Sequence, residues 1–307
     1  MTQGGTLGIA VALALVAGPL LLGLTGWIRA PRASADAVPN SATRRSWKLT
    51  IVSGLLYVLS FNLTFFIQEL FLVLPKALIP GLHPTLFHNN HKWEGEHPLA
   101  SLFQGTGALA IFVSGVLCAL ILRRSHARSA TVQLFLIWMA YHGFFQALPQ
   151  VVIGSINPQN DVGMAMDYLR LDATVRTAAA LGALTAIPLI ALWLTRAVLS
   201  LADDPVQIAN ARARTRFIFD IATLPALIAI PLIIPFRIPR EFIEVVMPPV
   251  VVTWVGIAWM QAGAWRVTGV KAGGSSGVSS VAFPLSAVLG LLVVFQVVLR
   301  PGVPFFR

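Results

Sequence analysis

Eight stretches of the chain, roughly 6–28, 50–74, 100–122, 131–154, 174–199, 217–236, 247–265 and 280–299, are apolar for about 20 residues at a time. At about 1.5 Å per residue, a helix of that length crosses the ~30 Å hydrocarbon core of a bilayer. Lipid offers the peptide backbone no hydrogen-bond partner, so a helix, which satisfies its own N–H and C=O groups, is the form such segments take. The pattern implies an all-α, polytopic integral membrane protein with about eight transmembrane helices. No loop is long enough to fold by itself, so residues 1–307 are read as a single transmembrane domain. Charged residues make up 11% of the chain, against about 25% in soluble domains. Cys118, the one cysteine, excludes an internal disulfide. Gly273–Ser280 (GGSSGVSS) reads as a flexible linker.

The first run carries a signal-peptide alternative, with Ala33-Ser34-Ala35 as a cleavage site. MTQGG has no positive charge and the run is longer than an ordinary signal-peptide core, so a retained first span is expected. The net charge of +10 follows topology. Of the 22 Lys and Arg residues, 14 fall in or beside the first, third, fifth and seventh loops and 8 on the opposite side. The positive-inside bias then places both termini outside and the basic loops in the cytoplasm. The expected location is a plasma membrane, the inner membrane of a bacterium. The expected partners are membrane lipid and a membrane-protein partner or substrate, with no nucleic acid.

This orientation brings polar residues to one outer region. Asn62, Gln68 and Glu69 fall in the outer half of the second span, and Gln104 and Thr106 at the outer start of the third. The fourth carries His142 near mid-membrane, with Gln146 and Gln150 above it at helical spacing. The following loop holds Asp161, Asp167 and Asp172. Polar groups inside a span are costly unless they face a cavity or one another, which makes Glu69 and His142 the leading site candidates and Asn62, Gln68, Gln104, Gln146 and Gln150 candidate cavity-lining residues. The bland reading of His142 is one interhelical hydrogen bond. The sixth to eighth spans, interrupted by Asp220, Gln296 and helix-breaking prolines, read as scaffold.

The loop Phe87–Pro98, FHNNHKWEGEHP, concentrates imidazole and carboxylate. On a helix, His88, His91, Glu94 and His97 would share a face. Asn89-Asn90, Gly95 and Pro98 disfavour one. Three readings stay open: ligation of zinc or another divalent metal, a polar cavity mouth without metal, and pH sensing by histidine.

Three stretches in order resemble the site-2 protease family of intramembrane zinc metalloproteases. Gln68-Glu69-Leu70-Phe71-Leu72 is similar to its His-Glu-x-x-His motif, with both histidines replaced. Gly105-Thr106-Gly107-Ala108-Leu109-Ala110 looks like its small-residue span. Gln146-Ala147-Leu148-Pro149 and Asn160-Asp161-Val162-Gly163 are similar to its Asn-x-x-Pro and Asp-Gly segment. The resemblance covers roughly 60–170. It implies that Glu69 is the catalytic base and Asp161 a metal ligand. With Gln68 and Leu72 in place of histidines, it implies a non-catalytic relative, or a metal moved to His88, His91, His97 or His142. The leading expectation is an outward-facing polar, metal-binding cavity on such a scaffold; if it is an enzyme, it is a zinc-dependent membrane hydrolase. The alternatives are a proton- or ion-coupled transporter of a small polar solute and a membrane assembly or scaffold subunit.

Overall fold

The computed structural model describes residues 3–29, 46–124, 129–273 and 280–305. Ala33-Ser34-Ala35 and residues 274–279 of the linker lie outside the described residues. Eight helices are long and apolar enough to cross a membrane: Leu7–Ile28, Trp47–Ala77, Leu99–Arg123, Ala130–Ile156, Ala173–Leu199, Ala211–Arg237, Phe242–Arg266 and Ala282–Leu299. The protein is a polytopic, mostly helical membrane protein. The sixth span starts earlier than its apolar run because the charged segment Ala211–Ile218 is already helical, capped by the Asn210 side chain on the Ala213 amide at 2.9 Å.

The second and fourth spans form the centre. Tyr57, Phe61, Trp138, Tyr141 and Phe145 are fully enclosed. The third span presses against the fourth where two glycines meet, since a Cβ on Gly143 would lie 2.6 Å from the Gly115 Cα. Small residues at such a crossing let helix backbones approach closely.

The prolines at 188, 225, 231 and 235, helix breakers by residue type, do not break these helices, and all four lie inside helical spans. They set the docking pattern instead. A proline has no N–H for the carbonyl four residues earlier, so that carbonyl is freed. Four of those carbonyls are taken by a side chain from elsewhere in the bundle. Pro75 frees Phe71, and the Thr106 hydroxyl lies 2.6 Å from it. Pro225 frees Ile221, which accepts from Ser53 at 2.6 Å. The Pro235 carbonyl, in the last turn of the sixth span, is taken by Gln296 at 2.7 Å in the same way, but there it is the end of the helix at Arg237 that leaves it free. Pro248 frees Glu244, which accepts from Arg237 Nη2 at 2.9 Å. Pro19 frees Leu15, which accepts from the Trp254 indole at 2.8 Å.

The first span adds a π turn at Leu13–Ala17, where Gly18 N–H bonds back to Leu13 and leaves the Ala14 carbonyl unpaired within the helix. The Trp259 indole occupies it at 2.8 Å. Trp265 bonds Leu22 about two turns further along, at 3.1 Å. Three tryptophans of the seventh span thus tie the first span to the bundle.

At one end of the bundle the connecting segments assemble into a cap. The segment expected as a His-rich loop is a β-hairpin. β1 (His83–Leu86) pairs antiparallel with β2 (His91–Glu94), and β3 (Val303–Pro304) joins the other edge of β1. Gly95, at φ +92°, closes its base where a Cβ would lie 1.9 Å from the Gly81 carbonyl oxygen. The hairpin tip is tied down by Asn89, whose amide donates to the Phe236 carbonyl at 2.8 Å.

Candidate functional site

The hairpin decides which polar residues meet. Side chains alternate across a strand, so His91 and Trp93 turn toward the bundle while Lys92 and Glu94 are exposed. Beneath them the second span runs through Pro75 to Ala77, which brings Glu69 and Lys76, seven residues apart, onto one helix face.

His91 Nδ1 lies 2.9 Å from Glu69 Oε2. His91 Nε2 lies 3.1 Å from Gln104 Oε1 and 3.3 Å from Lys76 Nζ. The Lys76 ammonium donates to Gln104 Oε1 at 3.1 Å and to the Leu72 carbonyl at 2.9 Å. It also sits 4.5 Å from the centre of the Trp93 ring, which stacks on His91. Glu69, Lys76, His91 and Gln104 are all buried, Lys76 completely. Asp161 opens the short helix Asp161–Tyr168, which begins at an Asn160 cap. It lies within electrostatic reach of Glu69, His91 and Lys76. Burial first, and the Glu69 carboxylate next, push the Asp161 carboxyl above its ordinary range, against the pull of His91 and Lys76.

This geometry serves two protonation states of His91. A neutral ring with its proton on Nδ1 donates to Glu69 and accepts from Lys76 at Nε2. An imidazolium donates to Glu69 and to Gln104 Oε1 instead. Neither state leaves a ring nitrogen without a partner.

A polar stripe runs inward from this cluster. Gln150 donates to Gln68 Oε1 at 2.9 Å, and one turn deeper Gln146 reaches the Phe61 carbonyl at 3.5 Å. Below it, His142 is fully enclosed by Tyr57, Phe61 and Tyr141, with ring centres 4.4, 5.4 and 5.1 Å away. Both ring nitrogens of His142 lack a hydrogen-bond partner among the described residues, as do Gln146 Oε1, Ser60 Oγ, Asn62 Oδ1 and Thr64 Oγ1. His142 keeps only a loose interhelical approach to the Tyr57 backbone, short of full hydrogen-bond geometry.

The anticipated metal ligands do not converge. His91 faces Glu69, but His88 points away to the opposite side of the hairpin tip, beside Arg237 and Ile238. Burial, then Arg240 and Arg300, hold the His88 imidazole below its ordinary value. His97 accepts from the Leu99 amide at 3.2 Å where the third span begins. His142 is deep between the second and fourth spans. The strand, with its two-residue period, replaces the three-residue spacing that put these histidines on one face. Among the described residues no group of three or more His, Cys, Asp or Glu side chains is placed to hold a metal ion. Gln68 is engaged by Gln150, and Leu72 is a fully buried apolar side chain. The donor set that the protease resemblance implies for zinc thus does not fit, although Glu69 and Asp161 do approach each other.

Of the candidate cavity residues, Gln104 joins the cluster, and Gln68, Gln146 and Gln150 line the stripe. Asn62 turns its amide to its own helix, donating to Val58 at 2.8 Å. Sequence reasoning missed Lys76 and Trp93. The apolar run of the second span stops at residue 74, which by sequence alone leaves Lys76 in the loop beyond Pro75. Its seven-residue spacing from Glu69 was the available signal. Comparison of the chain with family models, curated proteins and solved structures finds no match.

Proposed function

We propose that the protein is a proton-coupled membrane transporter of a small polar solute, with Glu69, Lys76, His91, Gln104 and Asp161 as its proton-exchanging site. The observation that carries this reading is the unbroken hydrogen-bonded chain from Glu69 through His91 to Lys76 and Gln104, which accommodates His91 with one proton or two. Ionisable groups at membrane depth are expensive, and they mark ion and proton routes. The stripe from Gln68 to His142 supplies a polar continuation toward mid-membrane. Its unpartnered atoms call for water, since buried polar groups are ordinarily satisfied by protein or ordered solvent. Proton transfer along the chain conserves charge simply. The Lys76 ammonium passes a proton to His91 Nε2 as the ring's Nδ1 proton passes to the Glu69 carboxylate, so one proton moves from Lys76 to Glu69 through the imidazole and the neutral amine is reloaded from water.

The test uses purified protein in liposomes holding a pH-sensitive dye. A pH gradient is imposed, and a panel of amino acids, sugars and carboxylic acids is added one at a time. Solute-dependent proton entry by the native protein, lost in Glu69→Gln and His91→Phe, is the expected result. No proton movement with any solute, or movement unchanged in both variants, would overturn the reading.

A further inference from the structure

A second site lies far from the proton cluster, at the end of the bundle carrying the basic loops. The first, sixth and seventh spans leave a groove of about 1780 Å³ between them. Ordinary small-molecule pockets occupy roughly 300–1,000 Å³. The groove extends along the seventh span from Val250 to Trp265, which is about 22 Å of helix. That is one leaflet's hydrocarbon depth, ~15 Å, plus the start of the headgroup layer.

The lining is graded along this length. Leu20, Leu227, Ile230 and Val250 form the deep part. Thr215, Gln261 and two arginines, Arg212 and Arg216, form the end nearest the basic loops. Among the described residues no carboxylate lines the groove. The arginines stand one helical turn apart on Ala211–Ile218, so both guanidinium groups serve the same face. Both are exposed, whereas Arg214 between them turns inward and is held by the Ile208 and Trp265 carbonyls at 3.3 and 2.9 Å. Gln261 is already oriented, accepting from Thr223 at 2.6 Å and donating to the Thr215 carbonyl at 3.1 Å.

We propose that this groove is a binding site for one anionic glycerophospholipid of the leaflet on the basic-loop side, its acyl chains along Leu20, Leu227 and Ile230 and its headgroup phosphate between Arg212 and Arg216. The chemistry matches on each count. The groove opens sideways to lipid, is apolar over an acyl chain's depth, and ends in a paired cation at headgroup level. Guanidinium forks suit phosphate oxygens. A zwitterionic lipid fills the apolar part equally well, but its own cation opposes the arginines. The preference for an anionic headgroup over a zwitterionic one is roughly thirtyfold for two surface cations.

The test is native mass spectrometry of the intact protein from detergent, titrated with phosphatidylglycerol or phosphatidylcholine of identical acyl chains. The native protein is expected to retain one phosphatidylglycerol preferentially. Arg212→Gln/Arg216→Gln should erase that preference while phosphatidylcholine retention is unchanged. Leu227→Trp, at an exposed groove position, narrows the apolar part and should lower retention of both lipids. Equal retention of the two lipids by native protein overturns the proposal. So does a preference that survives the double arginine variant, or a retained lipid that Leu227→Trp leaves unaffected.

Discussion

Replacing Lys76 by methionine keeps the length of the side chain and removes its charge. The ammonium is completely buried, and its hydrogen bonds run to Gln104 Oε1 and the Leu72 carbonyl, with His91 Nε2 3.3 Å away. Glu69 lies one imidazole beyond and is itself 6% exposed. Without Lys76, two carboxyl groups, Glu69 and Asp161, face each other with His91 as their remaining shared partner. Removing one partner of a buried charge pair costs about 3–5 kcal/mol. A buried methionine recovers part of this, because the ammonium no longer has to be desolvated. Lys76→Met should therefore cost about 2–4 kcal/mol. Glu69→Gln alone should also destabilise, since it leaves Lys76 charged beside a neutral group. The double variant Lys76→Met/Glu69→Gln removes both charges together and should cost about 1.5–3 kcal/mol less than the sum of the singles. The assay is reversible unfolding in mixed micelles, followed by tryptophan fluorescence. Additivity of the two substitutions within about 0.5 kcal/mol would show that the charges do not form one cluster, and the site would have to be redrawn.

The remaining predictions address separate parts of the fold. The Asp161 carboxyl is raised in the folded protein, so the native state holds its proton more tightly than the unfolded chain does; its contribution is present in acid and is lost as pH rises through the raised value. Asp161→Asn should then raise the unfolding temperature at neutral pH and make no difference near pH 4; an equal gain at both would reject the sign. His88 is depressed, so its contribution is present above the ordinary histidine range and lost as pH falls. Acid should therefore loosen the native protein more than His88→Gln, read as the unfolding-temperature difference between about pH 7.5 and pH 5. Trp254→Phe should cost about 0.6–1.7 kcal/mol by orphaning the Leu15 carbonyl, and less in a Pro19→Ala background, where residue 19 regains an N–H for that carbonyl; equal costs in both backgrounds would refute the proline argument. A cysteine at the exposed Glu96, in a Cys118→Ala background, should react with an impermeant thiol reagent in intact cells, and labelling only after lysis would invert the topology.

The spans were legible because lipid leaves the backbone so little choice. Apolar length alone located all eight. Chain direction then put Glu69, Gln104 and Asp161 at one end, where the structure brings them together. What the sequence hid was local geometry. His88 and His91 look like neighbours at helical spacing, yet Gly95 and the turn at Phe87–Asn90, closed by the Phe87 amide on the Asn90 carbonyl at 2.8 Å, fold them into a hairpin. One histidine then faces Glu69 and the other Arg240. Lys76 was hidden for a related reason. Proline ends most helices, but Pro75 sits where the Thr106 hydroxyl can take the carbonyl it frees, so the helix continues and carries the lysine into the bundle. Neither outcome follows from composition, because one depends on a tight turn that outcompetes the helix and the other on a hydroxyl 35 residues away.

The proline pattern also helps separate structural polar groups from functional ones. Ser53, Thr106, Arg237 and Trp254 each serve a carbonyl that a proline has released. Their presence at membrane depth is accounted for by docking, and losing one should cost an ordinary interhelical hydrogen bond. Glu69, Lys76, His91 and His142 serve no such carbonyl. Methionine, leucine or phenylalanine would fill the same volumes without desolvating a charge, and buried ion pairs replaced by well-packed apolar groups are often neutral or stabilising. The deeper orphans sharpen the point. An unsatisfied buried polar atom costs about 1–3 kcal/mol, and six such atoms belong to Ser60, Asn62, Thr64, His142 and Gln146 alone. Water between the second and fourth spans would satisfy those atoms. Water there, leading up to a carboxylate–imidazole–amine chain, is what a proton route requires and what a purely structural bundle would be better off without.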